Sequence, residues 1–588
     1  MTAEHGAGSP GAERTASVGV SLERREDRPL LTGNASFTDD LVGPRHLHVA
    51  AARSQYAHAT IQSIDTADAE TLEEVHGVFT ATDLVRADLR EGYPVRHVPE
   101  GIDEELPDRP LLANEKVRYQ GEPIAVVAAE TREGARGAAD AISVEYDRLD
   151  AVTDPQSAES ADATVHESSP SNRAFTWTAG DVDATKAAFE AAEQSVSLDL
   201  SNQRLAPVPI EPRALVAEYS EGEIDVRMST QTPHHHRTFF AAALGLPESS
   251  IRVRAPSVGG GFGSKDHFYA IEALACWMAT KFSRPVAAQV QRGETFQTDA
   301  HGRGHETVAS LAVDNDGTIR GLRAKTTADL GAYISTSAAA ITTNAYGRML
   351  SGAYAIPSVY CEVDGVFTNT APTGAYRGAG RPEATFVVER LVSLAATELG
   401  LDPVEFRRRN LIDADDFPYQ TPVGFTYDSG DYERSLDAAL ELVDYEAVRE
   451  CQAARQSDDR YLGIGISTFV EVAGYGPIGD GGDGPIPPLY EGGRVRFHPD
   501  GHVTAYCGTA DQGQGHETTY AQVLADVLGV DYEDIEVVEA DTEVVAYGTG
   551  TFGSRSASVG TASLVESAER VVEKARRIAA EALEVATS

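Results

Sequence analysis

The sequence predicts a mixed α+β protein built from several domains. Its 588 residues exceed what one hydrophobic core supports. Short apolar strands alternate with alanine-rich helices along most of the chain. Asp-Gly pairs mark tight turns between successive apolar segments. A chain of this size and pattern is large enough to enclose a bulky cofactor.

Composition limits the partners and the location that we expect. Asp and Glu number 91 against 49 Lys and Arg, which gives a formal charge of −42. Such a surface repels nucleic acid and anionic membranes, so neither is expected as a partner. Because the acidic residues are scattered along the chain, we expect a halophilic protein whose self-repulsion is screened by salt. No apolar run is long enough to span a bilayer and no export signal precedes residue 30, which favours the cytoplasm.

The cysteines argue against an electron-transfer centre on this chain. The four cysteines are far apart and show neither zinc-site nor iron–sulfur spacing: Cys276, Cys361, Cys451 and Cys507. We therefore predict no metal held by side chains here. Any electron-transfer centre is expected on another chain.

Changes in composition divide the chain into five segments. Residues 1–20 are small, polar and glycine-rich, and we expect a disordered tail. Residues 21–156 read as a compact α+β domain, and the polar stretch 157–172 reads as a linker. Strands and well-marked helices then fill 173–415, and a further α/β segment occupies 416–588.

Local signals define individual helices and turns. A helix is predicted to begin after Pro382 and to end near Gly400, and the next to start at Asp402. Asp-Gly pairs predict hairpin turns at 316–317 and 500–501. A final helix is predicted from apolar residues at three- and four-residue steps: Leu564, Ala568, Val571, Ala575, Ile578 and Ala582.

Four glycine-rich loops each precede a predicted helix. We name them in order the first, second, third and fourth loop: residues 258–265 (VGGGFGSK), 373–381 (TGAYRGAGR), 508–516 (GTADQGQGH) and 550–560 (GTFGSRSASVG). Glycine lets backbone N–H groups approach a ligand closely, and a helix start favours negative charge. The first loop matches neither the P-loop nor the dinucleotide fingerprint, and alone it is equally well explained as a structural turn. All four together predict one shared, buried polar ligand.

Other conspicuous residues have simpler interpretations. The consecutive histidines 234–236 point in different directions on a helix, which favours a solvated helix start over a metal site. His516 and Glu517 lack the second histidine of a zinc protease. Trp277 and Met278 are expected in the core.

The four loops, in this order, resemble those of molybdenum hydroxylase large subunits, the xanthine dehydrogenase and aldehyde oxidase-type family. LLTGNASFTDD and VRYQGEPIAVVAAE are similar to its hammerhead domain. STQTPHHHRTFFAAALG and VGGGFGSK are similar to its first cofactor-binding domain, and GTADQGQGHETTYAQVLADVLGV and TGTFGSRSASVG to the start of its second. The resemblance implies a hammerhead-type domain at 21–156 and two elongated mixed α/β molybdopterin-binding domains, at 173–415 and, incomplete, at 416–588.

The resemblance also implies roles for individual residues. Gln231 matches the glutamine beside the metal's apical ligand, and catalytic roles fall on Gln231, Phe262 and Arg377. Phe262 and Asp266 match residues that face or orient the substrate. The cofactor is expected to contact a larger set: Gln231, Gly261, Phe262, Gly263, Arg377, Gln512, Gly513, Gln514, Ala557, Ser558 and Gly560.

The implied reaction is oxidation of an aldehyde or an N-heteroaromatic carbon, with water as the oxygen source. The implied cofactor is molybdenum–molybdopterin cytosine dinucleotide, and FAD and 2Fe-2S clusters are expected on a medium and a small partner subunit. The family's general base is a glutamate in a glycine-rich C-terminal motif, and no such motif follows Gly560. We therefore expect a separately encoded C-terminal fragment and an inactive isolated chain. The alternative is a truncated, non-catalytic cofactor-binding or assembly component.

One substrate is disfavoured by the second loop. Related molybdenum–copper carbon monoxide dehydrogenases hold copper through a cysteine directly after Ala-Tyr-Arg, and a thiolate suits Cu(I). Gly378 occupies that position here. Carbon monoxide is therefore not expected as the substrate.

Overall fold

The computed structural model describes residues 16–455, 461–476 and 489–587, apart from 88, 90–91, 94–97, 100–101 and 103–105. Its strands are β1 Leu47–Arg53, β2 Ala59–Asp65, β3 Val75–Thr80, β4 Gly92–Tyr93, β5 Arg109–Pro110, β6 Lys116–Val117, β7 Pro123–Ala129, β8 Ser143–Arg148, β9 Arg173–Gly180, β10 Gln194–Asn202, β11 Ala214–Ser220, β12 Glu223–Met228, β13 Ile251–Arg254, β14 Val286–Gln289, β15 His305–Val313, β16 Ile319–Gly331, β17 Val359–Phe367, β18 Tyr419–Gln420, β19 Thr426–Tyr427, β20 Gly493–Phe497, β21 Val503–Cys507 and β22 Ile535–Glu539.

The helices complete the mixed α+β architecture that the sequence predicts. They are α1 Asp27–Thr32, α2 Ala67–Glu70, α3 Ala81–Arg86, α4 Arg132–Ala141, α5 Val182–Ala191, α6 Pro233–Leu244, α7 Ala270–Phe282, α8 Arg292–Thr298, α9 Ala338–Ala340, α10 Arg381–Glu398, α11 Pro403–Asn410, α12 Tyr432–Val443, α13 Tyr445–Arg455, α14 His516–Leu528 and α15 Thr561–Leu583. The helix predicted after Pro382 is α10, and Asp402 caps α11 through its side chain.

A seven-stranded sheet joins the N-terminal segment to the segment that follows it. Its strand order is β13-β12-β11-β14-β1-β7-β3. β1 pairs in parallel with β14, so that Leu47 lies opposite Val286. The predicted boundary near residue 156 therefore does not separate two independent sheets. Strand periodicity reveals which residues face the core, but not which distant strand is the neighbour.

A five-stranded sheet, of order β10-β15-β16-β17-β9, supports the second loop. The hairpin predicted at residues 316–317 joins β15 to β16. α10, which starts at the end of the second loop, shares a hydrophobic core with this sheet. The polar stretch 157–172, predicted as a linker, is folded against this core, since Val165 and Asn172 are fully buried. The Asn172 amide donates to the carbonyls of Ala158 and Ala163, and these bonds hold the stretch in place.

The last segment packs α14 and α15 on a three-stranded sheet of order β20-β21-β22. Its predicted hairpin turn lies between β20 and β21. The apolar stripe of α15 is buried at Leu564 and Ala568, but Ile578 is 56% exposed. The predicted disordered tail falls mostly on residues 1–15, outside the described residues, and residues 17–20 contact α14.

Candidate functional site

The first loop connects β13 to α7 and turns sharply at its centre. Phe262 has a φ of 55°, a conformation that is uncommon for a bulky residue, and it is 44% exposed. Gly263 has a φ of 103°, and a Cβ at this position would lie 2.4 Å from the carbonyl oxygen of Ala375. The close approach of the second loop therefore requires glycine at 263.

Gln231, which follows β12, joins the first loop to the fourth. Its side chain is buried, Oε1 accepts the N–H of Gly263 at 2.8 Å, and Nε2 donates to the carbonyl of Thr551 at 2.9 Å. The Thr551 N–H donates in return to the Gln231 carbonyl at 3.0 Å. Both ends of the amide are thus used in holding together two loops that lie about 300 residues apart in the sequence.

The second loop lies directly against the first. The Arg377 N–H donates to the Phe262 carbonyl at 2.9 Å, and the Ala375 N–H donates to Nε2 of His267 at 3.0 Å. Arg303 donates to the Arg377 carbonyl at 2.7 Å. These contacts anchor the backbone of the loop, while the Arg377 side chain itself is exposed.

The third loop already binds an anionic group of its own. Oδ1 of Asp511 accepts the N–H groups of Gly513, Gln514 and Gly515 at 3.2, 2.8 and 3.1 Å. The side chain of Gln514 also donates to Oε1 of Gln512 at 3.0 Å. Convergent backbone N–H groups of this kind form an anion-binding concavity. The carboxylate of Asp511, in the same loop, occupies this concavity, and Gln514 is exposed.

Arg555 anchors the fourth loop from within the protein. Its guanidinium is fully buried and pairs with the Glu491 carboxylate. It also donates to the carbonyls of Gly550 at 2.7 Å, Tyr475 at 2.9 Å and Leu489 at 3.0 Å. Burial raises the pKa of Glu491, although the charge of Arg555 opposes this effect.

The third and fourth loops also touch each other. The Ala510 N–H donates to Oγ1 of Thr551 at 2.9 Å. Gly560 lies so near α14 that a Cβ there would be 2.5 Å from the Tyr520 hydroxyl. Two further residues of the fourth loop are exposed: Ala557 and Ser558. All four loops are therefore joined in one continuous hydrogen-bonded assembly, in which Gln231 and Thr551 are the central links.

A buried ion pair fixes both ends of the first loop. Oε2 of Glu211 accepts from Nζ of Lys265 at 2.7 Å and from the N–H of Gly259 at 2.8 Å. Lys265 is fully buried, and burial lowers its pKa while the Glu211 carboxylate opposes the change. The Glu211 carboxylate thus connects the start of the loop to its end.

Asp266, which the resemblance assigns to substrate orientation, lies beside Thr232 and His236. Burial raises the pKa of its carboxyl group, and the nearby His236 and a hydrogen bond with Thr232 act in the opposite direction. The substrate role of Asp266 remains a prediction.

The solvated helix start predicted at residues 234–236 is wrong. His234 and His236 are buried at the start of α6. His234 Nε2 donates to the carbonyl of Val545 at 3.0 Å, and His236 Nδ1 bonds to Oγ1 of Thr230 at 2.9 Å. The helix start is covered by a segment about 300 residues away in the sequence, which no local pattern could reveal. Trp277 and Met278 are buried, as predicted.

His267 should make the protein sensitive to acid. Burial lowers the pKa of His267 to about 3, against 6.5 for a free histidine. As the pH falls below 6.5, the unfolded chain binds a proton that the folded ring does not, so stability decreases. Between pH 7 and pH 5 we expect His267 to account for a loss of about 2 kcal/mol. Denaturant unfolding of wild type and His267→Gln at both pH values measures this. An equal pH dependence in the two proteins would contradict it.

Three residues that hold the loops escaped the sequence reasoning: Glu211, Asp511 and Arg555. Each acts through a partner whose proximity depends on the fold or on the exact loop conformation. Arg555 carried one signal, since it is a lone charged residue inside a segment of glycines and small residues. The described residues contain no group of three or more His, Cys, Asp or Glu placed to hold a metal ion. None of the described helices is both long and apolar enough to span a membrane.

Most of the chain matches domains of known protein families. Residues 32–150 match the aldehyde oxidase and xanthine dehydrogenase a/b hammerhead domain. Residues 165–411 and 438–588 each match a molybdopterin cofactor-binding domain. The predicted order of a hammerhead domain followed by two cofactor-binding domains is confirmed.

Individual relatives agree with these matches. The carbon monoxide dehydrogenase large chain of Hydrogenophaga pseudoflava is 38% identical, over 88% of this chain and 66% of its own length. The nicotine 6-hydroxylase large subunit of Paenarthrobacter nicotinovorans is 34% identical, over 88% of this chain and 63% of its own. The crystal structure of quinoline 2-oxidoreductase from Pseudomonas putida 86 superposes with a TM-score of 0.92 at 37% identity, covering 98% of this chain and 73% of that one.

The chain spans about two thirds of the length of these curated relatives. Within that span, the hammerhead domain, both cofactor-binding domains and the fold agree with the same group of proteins. The chain therefore belongs to the molybdenum hydroxylase large-subunit family.

Proposed function

We propose that this chain forms the cofactor-binding part of a hydroxylase that oxidises an aldehyde or an N-heteroaromatic compound, with water as the oxygen source. The observation that carries the proposal is the assembly of the four loops through Gln231. This residue is buried, and it hydrogen-bonds the first loop and the fourth at the same time. Such a network fixes the loops relative to one another before any ligand binds, which is what a preorganised site requires.

The residues present fit a molybdopterin. Its metal centre, when bound, would accept the two electrons removed from the substrate. A Cβ at Gly261 would lie 2.5 Å from Oε1 of Gln231, so a larger residue there would displace the glutamine that links the first loop to the fourth. Phe262 is held outward by its backbone, and its ring face would contact a flat substrate. Arg377, whose N–H bonds to the Phe262 carbonyl, would supply an exposed cation beside Phe262.

The cytosine dinucleotide tail would lie along the third and fourth loops. Since Asp511 engages the N–H groups of Gly513 and Gln514, the donors left for a phosphate are side chains. The Gln514 amide and the Ser558 hydroxyl are both exposed. The other proposed contacts shape this surface: Gln512, Gly513, Ala557 and Gly560.

The general base and the electron carriers are proposed to come from elsewhere. We place the base, a glutamate, in the part of the relatives' length that residues 1–588 do not match, and a C-terminal fragment that carries this part can be supplied for the test. FAD and 2Fe-2S clusters are assigned to a medium and a small partner subunit. Of the other titratable groups near the loops, His267 uses Nε2 to accept from Ala375 and is unsuited to act as the base.

The test is cofactor content followed by turnover. We expect the chain, produced in a host that makes molybdopterin cytosine dinucleotide and completed by the C-terminal fragment, to carry molybdenum and releasable CMP near one per chain. Gln514→Ala should lower both, and Gln203→Ala, at an exposed glutamine outside the loops, should not. Dye reduction with benzaldehyde, purines and nicotinate in high salt then requires the fragment. A wild-type assembly without molybdenum would refute the cofactor site. Turnover without the fragment would refute the placement of the general base.

Carbon monoxide is not expected to be oxidised, although carbon monoxide dehydrogenases are among the relatives. Gly378 stands where a copper-binding cysteine would be needed, with a φ of 93°. A Cβ at this position would lie 2.2 Å from Cγ of Pro382, so this loop conformation cannot accept a cysteine. Copper analysis and CO-dependent dye reduction test the prediction. One copper per molybdenum, or CO oxidation as fast as that of an aldehyde, would contradict it.

A further inference from the structure

The segment before the hammerhead domain crosses to the second cofactor-binding domain. We call residues 17–27 the N-terminal strap. The N–H groups of Ser17 and Val18 donate to the carboxylate of Asp526 on α14 at 2.7 and 3.0 Å. The Gln522 amide donates back to the strap carbonyls of Ser17 and Val20 at 2.9 and 3.0 Å. The strap is therefore bound along α14, the helix that follows the third loop.

The middle of the strap is fixed at the start of the same helix. Glu26 accepts from the N–H and the hydroxyl of Thr518 at 3.0 and 2.6 Å, and the Arg25 N–H donates to the Thr518 hydroxyl at 2.9 Å. The Arg25 guanidinium stacks on the ring of Tyr532 at 3.8 Å. These contacts on both sides leave little freedom for the residue next to them, Arg24.

Arg24 lies directly against the third loop. Its Nη2 donates to the carbonyl of Gly513 at 3.3 Å. A Cβ on Gly515 would lie 3.2 Å from Nε of Arg24, so the guanidinium occupies the space that a side chain at 515 would use. The strap thus places a cation beside Gly513 and Gly515, the two neighbours of Gln514 in the third loop.

The guanidinium of Arg24 makes few hydrogen bonds with the protein. It is 41% exposed, and its carboxylate neighbours, Glu26 and Asp27, are 3.9 and 3.7 Å away, beyond hydrogen-bond distance. Among the described residues, the Gly513 carbonyl accepts a hydrogen bond from it. A guanidinium carries five N–H donors in a planar fork that matches phosphate oxygens. Of its nitrogens, Nη2 contacts the third loop, while Nε and Nη1 lie nearest to the carboxylates of Glu26 and Asp27.

We infer that Arg24 binds a phosphate group of the cofactor tail and that the N-terminal strap exists to hold it there. The inference rests on the proposed function, since it needs the cofactor at the third loop. Arg24 lies outside the ranges that match the family's domains. It would add the cation that Gln514 and Ser558 lack, and so bind the negative charge of the phosphate directly.

The test compares cofactor retention in Arg24→Gln, Arg24→Lys and a control, Arg28→Gln. Arg28 is exposed on the adjacent α1, and no described contact joins its side chain to the third loop. We expect Arg24→Gln to lose molybdenum and CMP roughly tenfold faster than wild type in dialysis at low salt. Arg24→Lys should restore part of the retention. High salt should reduce the difference, because the contact is ionic and partly exposed.

The outcomes separate this inference from the proposed function. Cofactor loss from Arg24→Gln at the wild-type rate, in a protein that is otherwise loaded, would overturn the inference and leave the proposed site intact. Equal loss from Arg28→Gln would also overturn it, as a general charge effect. If Arg24→Gln fails to fold, the salt dependence of the wild type decides: retention that is the same at every salt concentration would refute an ionic phosphate contact. Absence of cofactor from the wild type would instead refute the proposed function.

Discussion

Replacing Arg555 with Met is expected to destabilise the protein by about 3–5 kcal/mol, because it leaves a buried charge without its partner. The Glu491 carboxylate has no exposed surface and pairs with Arg555. The substitution also removes the donor for carbonyl groups at Tyr475, Leu489 and Gly550. Met fills a similar volume, so the effect reports the loss of these bonds more than the loss of packing.

Thermal and denaturant unfolding of the purified variant measure this effect. Arg496→Met, on the exposed side of β20, removes the same charge at the surface and should change stability by less than about 0.5 kcal/mol. The double variant Glu491→Gln, Arg555→Met should recover part of the loss, since it no longer buries an unpaired carboxylate. Wild-type stability in Arg555→Met would show that this ion pair does not support the fourth loop.

Replacing Gln231 with Ala is expected to disconnect the first loop from the fourth. The Gly263 N–H and the Thr551 carbonyl would each lose a buried partner. An unsatisfied buried group costs about 1–3 kcal/mol, so we expect a total of about 2–4 kcal/mol. Because the loops would no longer be held together, the bound molybdenum should fall to a small fraction of the wild-type content.

Gln231→Glu refines this prediction. A glutamate keeps the acceptor for Gly263 but turns an oxygen toward the Thr551 carbonyl, so the variant should fold better than Gln231→Ala and still bind less molybdenum. Metal analysis together with unfolding measurements separates the two effects, and Gln203→Ala serves as the control. Full molybdenum content in Gln231→Ala would show that the bridge is dispensable.

Features set by local rules could be predicted from the sequence. The cap at Asp402, the hairpin turn at residues 316–317 and the start of α10 after the second loop each depend on neighbours within a few positions. The four glycine-rich loops could also be recognised from the sequence, because each is a local pattern that directly precedes a helix. The resemblance of several such segments together then identified the family.

Features set by distant contacts could not be predicted in this way. The pairing of β1 with β14, the burial of His234 beneath Val545 and the ion pair of Arg555 with Glu491 all join remote parts of the chain. Asp511 is close in sequence to its partners, yet its role depends on the left-handed backbone at Gly513 and Gly515. The pattern of side chains predicts α14, which follows the loop, but it does not predict the backbone conformation of these two glycines.

The N-terminal strap has a consequence for the order of folding. Its contacts with α14 join residues about 500 positions apart, so a nascent chain must extend through α14 before they can form. The hammerhead strands can pair much earlier, because domains fold as they emerge. The strap is thus synthesised well before α14 and reaches its final position only after α14 is complete.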